Sequence, residues 1–197
     1  MNNKTVFVSN FYAILLSSLV GVGLQSCATL KNSNVKEWRT VRVDKKNDEP
    51  TWTIHSRKIV GTDFFEYKIV GKIEDSPKDC LASFRQEIYD QADGREKKKY
   101  PTYKIVDESN DSLLTYVIHN EPFPMKDTEM SVRYWFYAGT DGSLGISWKE
   151  AWEESEIQPS AKLQRVQTFR GSWSFVPTSE SSCKAINTVQ FDPQKMP

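Results

Sequence analysis

The chain has 197 residues, of which 38% are hydrophobic and 26% are charged. This length and this composition suit a single globular domain with a sizeable apolar core. The 26 basic residues balance the 26 acidic residues. Nucleic-acid binding normally requires a basic excess, and we therefore expect no nucleic-acid partner.

The first 26 residues have the pattern of an export signal rather than of a folded segment. Lys4 is the only charged residue among them, and an apolar run with small residues follows over residues 11–24. This run is short for a membrane span. It ends in Leu24-Gln25-Ser26-Cys27, which resembles the bacterial lipobox, whose cysteine receives a diacylglycerol thioether.

The lipobox resemblance implies that residues 1–26 are a lipoprotein signal peptide and that the lipid-attachment residue, Cys27, begins the mature protein. Residues 27–34 would then form a polar tether. Two or three acyl chains on one residue hold a protein stably on a bilayer, whereas a single chain is marginal. We expect a membrane-anchored lipoprotein of the bacterial cell envelope that faces the periplasm. The alternative is a plain secretory signal with a chance cysteine.

Residues 35–197 are predicted to form one α+β domain, which begins with a short segment and a hairpin. Residues 35–44 favour a short amphipathic helix, or a helical turn that runs into a strand. β-branched residues alternate over residues 51–59, and a second strand is predicted over residues 64–74 after a turn at Gly61.

A central helix and a run of strands follow. Ser76 is a good N-cap, Pro77 suits the first helical position, and Asp79 complements the helix dipole. Apolar residues at helical spacing continue until the helix stops near Asp93. The later strands are predicted over residues 102–107, 113–119, 128–138, 143–154, 165–176 and 184–191. This order predicts an α+β domain with one curved antiparallel sheet.

A loop restricted by prolines separates two of these strands. Pro122 and Pro124 have no backbone N–H to give to a sheet, and so the chain must leave the sheet there. A rigid connection between two apolar strands is well suited to the mouth of a cavity. The residues expected to form this gating loop are Pro122, Phe123, Pro124, Lys126 and Asp127.

Several segments resemble START domains, the lipid-transfer members of the helix-grip superfamily. The Pro-Phe-Pro segment followed by Lys126 and Asp127 is similar to the P-x-P-x-R-D loop of that family. In the early hairpin, Arg57, Gly61 and Glu66 fall where the family pattern has arginine, glycine and glutamate. The order of these segments along the chain also matches the family.

The resemblance implies a helix-grip fold, in which N-terminal and central helices accompany the curved sheet. Asp192-Pro193 is similar to the segment that precedes the long C-terminal gripping helix of the family, but the sequence given stops at Pro197. We therefore expect the gripping helix to be missing from this chain. A truncated product, a partly open pocket and a partner helix that completes the pocket are the three alternatives.

Aromatic residues alternate along several of the predicted strands. Spacing alone favours aromatic side chains that simply fill a core. The START resemblance instead implies that the concave side of the sheet lines a cavity for a lipid or a sterol-like hydrophobic ligand. The expected ligand-binding residues are Tyr116, Ile118, Trp135, Trp148, Phe169 and Trp173.

Lipid binding, with transfer as an extension, is the first functional hypothesis, and we predict no enzyme activity. The sequence contains no nucleophile elbow, phosphate-binding loop or clustered metal ligands, so neither a cofactor nor a metal is expected. The alternative is a helix-grip enzyme of cyclase or hydrolase type on a hydrophobic substrate, for which His119, Tyr116 and Asp127 would be the first residues to test. A non-catalytic interaction module whose groove accepts a partner helix is the third hypothesis.

Besides Cys27, the sequence contains two cysteines, Cys80 and Cys183. In an oxidising envelope compartment they could form a disulfide. They could also remain two separate buried thiols, and the sequence leaves both alternatives open.

Overall fold

The computed structural model describes residues 37–46, 49–62 and 64–192. Within these ranges the chain forms ten strands and two helices. In chain order they are β1 (Arg39–Lys46), β2 (Glu49–Lys58), β3 (Phe65–Ile73), α1 (Pro77–Ala92), β4 (Thr102–Glu108), β5 (Ser112–His119), β6 (Thr128–Ala138), β7 (Leu144–Glu150), α2 (Trp152–Ser155), β8 (Gln164–Arg165), β9 (Phe169–Ser179) and β10 (Ser182–Phe191). Neither of the two helices in these ranges is long and apolar enough to cross a membrane.

The strands form one curved, open antiparallel sheet in the order β1-β2-β3-β10-β9-β7-β6-β5-β4. Strand β8 joins this sheet through a short parallel pairing with β6. After β3 the chain passes through helix α1 and then enters β4 at the far edge of the sheet. This arrangement of a curved antiparallel sheet and a central helix confirms the α+β fold class predicted from the sequence.

Helix α1 packs on one side of the sheet, which we call the inner face, and the opposite side is the outer face. Phe84 and Ile88 of the helix are buried in a core with Tyr134, Ile146 and Phe175. The ring centroids of Phe84 and Tyr134 are 6.3 Å apart. Because side chains alternate along a strand, this core identifies the inner-face positions of every neighbouring strand through the pairing register.

Helix α1 begins and ends where the sequence predicts. The Ser76 hydroxyl accepts a hydrogen bond from the backbone N–H of Asp79 at 3.1 Å, and Pro77 occupies the first turn. The helix ends at Ala92, and Gly94 then adopts a φ of +90°, which glycine tolerates best. Local sequence therefore sets both ends of the helix that covers the inner face.

The β2–β3 hairpin explains the three residues that resemble the START pattern there. Arg57 and Glu66 stand directly opposite each other on the two strands, and Arg57 Nε donates to Glu66 Oε2. Gly61 has a φ of +79° in the connecting turn. The Arg57 guanidinium also lies over the Trp38 ring, 4.4 Å from its centroid. These residues stabilise the hairpin from the outer face.

The structure corrects the N-terminal helix predicted over residues 35–44. Residues 39–46 form strand β1, in which Thr40 pairs with His55 and Val43 pairs with Thr53 of β2. A weak amphipathic pattern is overridden here because β2 presents a sheet edge whose backbone groups gain partners by antiparallel pairing. The observed strand agrees with the alternative of a segment that runs into a strand. Residues 35 and 36 lie outside the described ranges.

The chain between β7 and β9 also differs from the predicted strands over residues 143–154 and 165–176. Strand β7 ends at Glu150, and α2 and β8 intervene before β9 begins. The backbone N–H of Ala151 donates to Ser131 O at 2.9 Å, and Ser131 Oγ donates to Ala151 O at 3.0 Å. Arg133 Nε donates to Glu154 Oε2 at 2.8 Å. Residues 151–166, which we call the strap, are thereby held against the outer face of β5 and β6.

Three glycines in the sheet stand directly opposite an aromatic residue of the neighbouring strand. The pairs are Trp52 with Gly71, Tyr137 with Gly145, and Trp148 with Gly171. A Cβ at Gly171 would lie 2.6 Å from the Trp148 ring, so the absence of a side chain lets the indole lie across the strand. This packing fixes the position of Trp148 on the inner face.

Candidate ligand-binding site

The inner face carries apolar side chains that are only partly covered by the protein. Trp148 is buried, whereas Phe169 and Phe191 keep intermediate exposure. The ring centroids of Trp148 and Phe169 are 5.9 Å apart, and those of Phe169 and Phe191 are 6.3 Å apart. We call these three residues the aromatic row. Tyr67 and Met130 are also half-buried and pack against the same core, so this surface could still gain from burial against a hydrophobic ligand.

The structure divides the six predicted ligand-binding residues between the two faces of the sheet. Tyr134 of β6 belongs to the core and pairs with Trp148 of β7, so both lie on the inner face. Trp135, the next residue of β6, therefore lies on the outer face. The inner-face residues are Trp148, Phe169 and Trp173. The outer-face residues are Tyr116, Ile118 and Trp135. The last three cannot line one cavity together with the first three, which corrects the sequence prediction for them.

The physical reason for this error is that strand β5 is shielded on both faces. Leu113 and Val117 point to the inner face, where helix α1 lies. Leu114, on the outer face, is only 1% exposed because the strap lies on that side. Alternation of apolar and polar residues therefore could not assign a face to Tyr116 or Ile118.

A buried ion pair on the outer face accounts for the position of Tyr116. Glu129 is fully buried, and it accepts hydrogen bonds from Tyr116 Oη and from Arg165 Nε, both at 2.9 Å. The Arg165 guanidinium lies 3.7 Å from the centroid of the Trp152 ring. Burial, and then the hydrogen bond to Glu129, raises the pKa of Tyr116 to about 12. These contacts hold the strap on the sheet, and they indicate a structural role for Tyr116.

Asn187 is an inner-face residue that the sequence analysis missed. It is fully buried on β10, where Cys183, Ala185 and Val189 share its face. Its Nδ2 donates to Ser172 O at 3.0 Å. Its Oδ1 has no hydrogen-bond partner among the described residues. The signal in the sequence is a single amide within an otherwise apolar alternation on one strand.

A histidine–carboxylate pair lies at the end of β5, on the inner face. His119 Nδ1 is 2.8 Å from Glu121 Oε1, and the His119 ring is 5.3 Å from the Tyr100 ring. Thr128 Oγ1 donates to the same Glu121 oxygen at 3.0 Å. Burial alone would raise the pKa of Glu121, but the hydrogen bonds from His119 and Thr128 outweigh it and lower that pKa. The pairing orients the imidazole, and Nε2 is buried without a partner within the described part of the chain.

Only part of the residue set suspected for catalysis comes together. Asp127 Oδ1 accepts a hydrogen bond from the backbone N–H of Glu121 at 3.0 Å, which places Asp127 beside the His119 pair. Tyr116 lies on the opposite face of the sheet, with Glu129. His119 and Asp127 are therefore neighbours through Glu121, and Tyr116 is not part of that site.

The predicted gating loop lies between β5 and β6, beside the His119 pair. Met125 N donates to Pro122 O at 3.0 Å, and Gln164 N of the strap donates to Asp127 O at 2.8 Å. Lys126 is exposed, and Phe123 is 97% exposed at the tip of the loop. The peptide bond between Phe123 and Pro124 is cis. The loop is thus held at its ends, while its tip projects into solvent.

The two cysteines considered for a disulfide are neighbours in the fold. Cys80 lies in the first turn of α1, and Cys183 lies near the start of β10. Both are buried free thiols, and their Sγ atoms are 3.6 Å apart. Burial is the main cause of a raised pKa for each thiol. The predicted lipid-attachment residue, Cys27, lies outside the described residues.

Solved structures with a similar fold include several START domains. A STAR-related lipid transfer protein from Xanthomonas axonopodis has a TM-score of 0.63 at 12% identity, covering 79% of this chain and 82% of the other. Human STARD10 has a TM-score of 0.65 at 13% identity, covering 81% and 63%, respectively. The human StarD13 lipid transfer and protein localization domain has a TM-score of 0.60 at 11% identity, covering 100% and 86%.

Comparisons of sequence alone give no such relation. No protein-family model matches the chain, and no curated protein matches it at a significant level. At these low identities the structural similarity establishes the fold alone. The described chain therefore has a START-like fold.

Proposed function

We propose that this protein binds a lipid or another hydrophobic ligand against the aromatic row of its inner face, as a membrane-anchored lipoprotein of the bacterial envelope. The observation that carries this proposal is the half-buried apolar surface formed by Phe169, Phe191, Tyr67 and Met130. Each Å² of such surface removed from water contributes about 25 cal/mol, so a long acyl or sterol-like ligand would gain substantially by covering it.

The structural neighbours support a lipid as the ligand class. Two of them are described as lipid transfer proteins or domains, and they share the curved sheet of this chain. The sequence supports the anchor, because Gln25, Ser26 and Cys27 follow the apolar run at residues 11–24. Membrane fractionation of the unmodified protein and of Cys27→Ala tests the anchor. Equal retention of both proteins in the membrane fraction would contradict a lipid anchor at Cys27.

A pair of variants tests the binding site. Phe169 and Trp135 are both half-buried aromatic residues of the sheet, but Phe169 lies on the inner face and Trp135 on the outer face. Phe169→Ala is expected to weaken binding of fluorescent lipids about tenfold or more, because it removes apolar contact area at the site. Trp135→Ala is the matched control and should bind the same lipids with unchanged affinity.

The measurement is a titration of each variant with NBD-labelled phospholipid, fatty acid and sterol. Equal losses of affinity in the two variants would indicate a general effect on folding rather than an inner-face site. Binding that depends on Trp135 and not on Phe169 would place the ligand on the outer face and contradict the proposal.

Proton transfer is a second candidate function, favoured by the geometry of His119. If Nδ1 of His119 donates to the Glu121 carboxylate, Nε2 can accept a proton, which is the arrangement of a general base. This function requires a hydrophobic substrate with an acidic or leaving proton near Nε2. If turnover of such a substrate is found, His119→Gln should abolish it, and full turnover by that variant would exclude His119 as the base.

A further inference from the structure

Two polar atoms near the aromatic row are buried without a hydrogen-bond partner among the described residues. They are Nε1 of Trp148, a donor, and Oδ1 of Asn187, an acceptor. Trp148 is 6% exposed and Asn187 is 0% exposed. Buried polar groups in folded proteins are nearly always paired, because an unpaired one loses its hydration without compensation. Each atom would therefore gain a hydrogen bond from a ligand group that reached it.

The hydrogen bond of Asn187 to the backbone fixes which end of its amide remains available. Asn187 Nδ2 is 3.0 Å from the carbonyl oxygen of Ser172. A carbonyl oxygen only accepts hydrogen bonds, so the NH₂ group must face it. Oδ1 is then the free end, and the group that meets it must be a donor.

The two atoms belong to neighbouring positions on three adjacent strands. Trp148 of β7 is directly opposite Gly171 of β9, and Gly171 is directly opposite Val189 of β10. Asn187 lies two residues before Val189, on the same face. The indole atoms nearest to a Cβ at Gly171 are Cζ2 and Cε2, and Cε2 carries Nε1. The part of the indole that includes Cε2, the atom bonded to Nε1, therefore lies against β9, the strand between β7 and β10.

Resting on the lipid-binding function proposed above, we infer that Trp148 and Asn187 recognise the hydroxyl group of a neutral hydrophobic ligand. A hydroxyl oxygen can accept from Trp148 Nε1 while its proton is donated to Asn187 Oδ1. An ether or ester oxygen can only accept, and it would leave Oδ1 unpaired. The ligand class is a long-chain or polycyclic alcohol.

The surroundings of Asn187 disfavour a charged head group. The residues directly opposite it are Ile69 on β3 and Trp173 on β9. An ionised carboxylate placed among them would lose its hydration, and it would bring another acceptor to Oδ1 instead of a donor. A fatty acid is therefore expected to bind more weakly than the alcohol of the same length.

The test is a competition experiment on the full chain with a matched set of C12 ligands. Displacement of 1-anilinonaphthalene-8-sulfonate is measured with 1-dodecanol, dodecyl methyl ether and dodecanoate. The alcohol is expected to displace the probe at about tenfold lower concentration than the ether, since the ether lacks the donor. Dodecanoate at pH 8 is expected to be weaker than the alcohol as well.

Two variants separate the donor from the acceptor. Asn187→Leu removes the acceptor and is expected to abolish the preference for the alcohol over the ether. Trp148→Phe removes only the N–H donor, and it should weaken alcohol and ether by the same factor while preserving their ratio. An alcohol preference that survives in Asn187→Leu would reflect the bulk of the ether methyl group and would overturn the assignment.

The outcomes also distinguish this inference from the proposed function beneath it. If all three ligands displace the probe equally from the unmodified protein, hydrophobic binding stands and the hydroxyl site is wrong. If none of them displaces the probe and none alters tryptophan fluorescence, both the hydroxyl site and the lipid-binding function fail. The comparison on unmodified protein remains decisive even where a variant does not fold.

Discussion

Glu121 is a carboxylate whose ionisation the fold favours, because His119 and Thr128 both contact one of its oxygens. Its pKa is lowered in the folded protein, as His119 and Thr128 outweigh the effect of burial. A lowered folded-state pKa contributes stability above the pKa of the unfolded chain, and this stability is lost as the pH falls through the folded-state value. Glu121 therefore favours the folded state near neutral pH and not in acid.

We predict that Glu121→Gln lowers the free energy of unfolding by about 1–2 kcal/mol at pH 7, because the contacts of His119 and Thr128 with a charged carboxylate are replaced by weaker contacts with a neutral amide oxygen. At pH 3 the difference between the variant and the unmodified protein should be smaller, because the stability that a lowered pKa contributes is lost as the pH falls through the folded-state value. Urea unfolding at both pH values measures this. Glu180→Gln, in the exposed turn between β9 and β10, is the control and should change neither value. A deficit of Glu121→Gln that is as large at pH 3 as at pH 7 would contradict the pKa argument.

For individual residues, the sequence predicted that aromatic side chains line the sheet better than it predicted the face on which each one lies. Of the six residues expected to line the cavity, Trp148, Phe169 and Trp173 lie on the inner face. The face of the sheet on which Tyr116 lies could not be predicted, because burial of β5 beneath the strap makes both sides of that strand apolar. The Glu121 contact with His119 depends on the conformation of the loop after β5, which no periodicity describes.

Among the larger elements, the loop from Pro122 to Asp127 is the one we propose as a gate to the inner face. The Asp127 carboxylate joins the two ends of this loop by accepting the backbone N–H of Glu121. Asp127→Ala removes this hydrogen bond, which is worth about 1 kcal/mol, and should therefore speed lipid uptake and release about fivefold. Asp127→Asn keeps an acceptor and should exchange lipid at nearly the original rate. Stopped-flow transfer of an NBD-labelled lipid from vesicles gives the rates, and identical rates in all three proteins would show that the loop does not gate entry.

Helix α1 and strand β10 meet at the two buried thiols, and we propose that these thiols form a disulfide when the protein folds under oxidising conditions. Their Sγ atoms are already 3.6 Å apart. The raised pKa of each thiol disfavours the reactive thiolate, so oxidation should be slow in the folded protein and faster during refolding. In the Cys27→Ala background, refolding with oxidised glutathione should remove two free thiols. The cross-link closes a long loop and should raise the free energy of unfolding by up to about 4–5 kcal/mol in the chain-entropy model.

Thiol titration and urea unfolding of the refolded protein check this prediction. Cys80→Ser, in the same Cys27→Ala background, should keep one free thiol and show no stabilisation by oxidised glutathione. If two free thiols persist after oxidative refolding, the cysteines are separate buried thiols, which is the alternative that the sequence left open.

Element boundaries show where sequence patterns lose information. The caps of α1 are local signals, and the helix was predicted closely from Ser76 to Asp93. The sequence did not decide between a helix and a strand for β1, because its conformation follows from pairing with β2 rather than from its own pattern. Only the two ends of the strap fall within predicted strands, and the path of the strap is set by hydrogen bonds to β6, such as that from Val166 N to Glu129 O at 3.0 Å.

For the whole molecule, the order of strands and helix carried most of the information about the fold. The sheet order β3-β10-β9 brings the first hairpin beside the last strands, and this pairing joins segments that are far apart in the sequence. This non-local arrangement was expected only from the resemblance of short, widely spaced segments to START domains. The similarity to solved START structures agrees with that expectation. Ligand identity could not be derived in this way, because it depends on a few polar atoms placed on an otherwise apolar face.

The central claim is that the inner face binds a hydrophobic ligand, and native mass spectrometry of protein purified without detergent tests it most directly. We predict a bound hydrophobic molecule at about one per chain, which is released into organic solvent for identification and is reduced in Phe169→Ala but not in Trp135→Ala. A protein that emerges empty, and that also fails to take up any of the labelled phospholipid, fatty acid and sterol, would contradict the claim. That result would favour the non-catalytic interaction module instead.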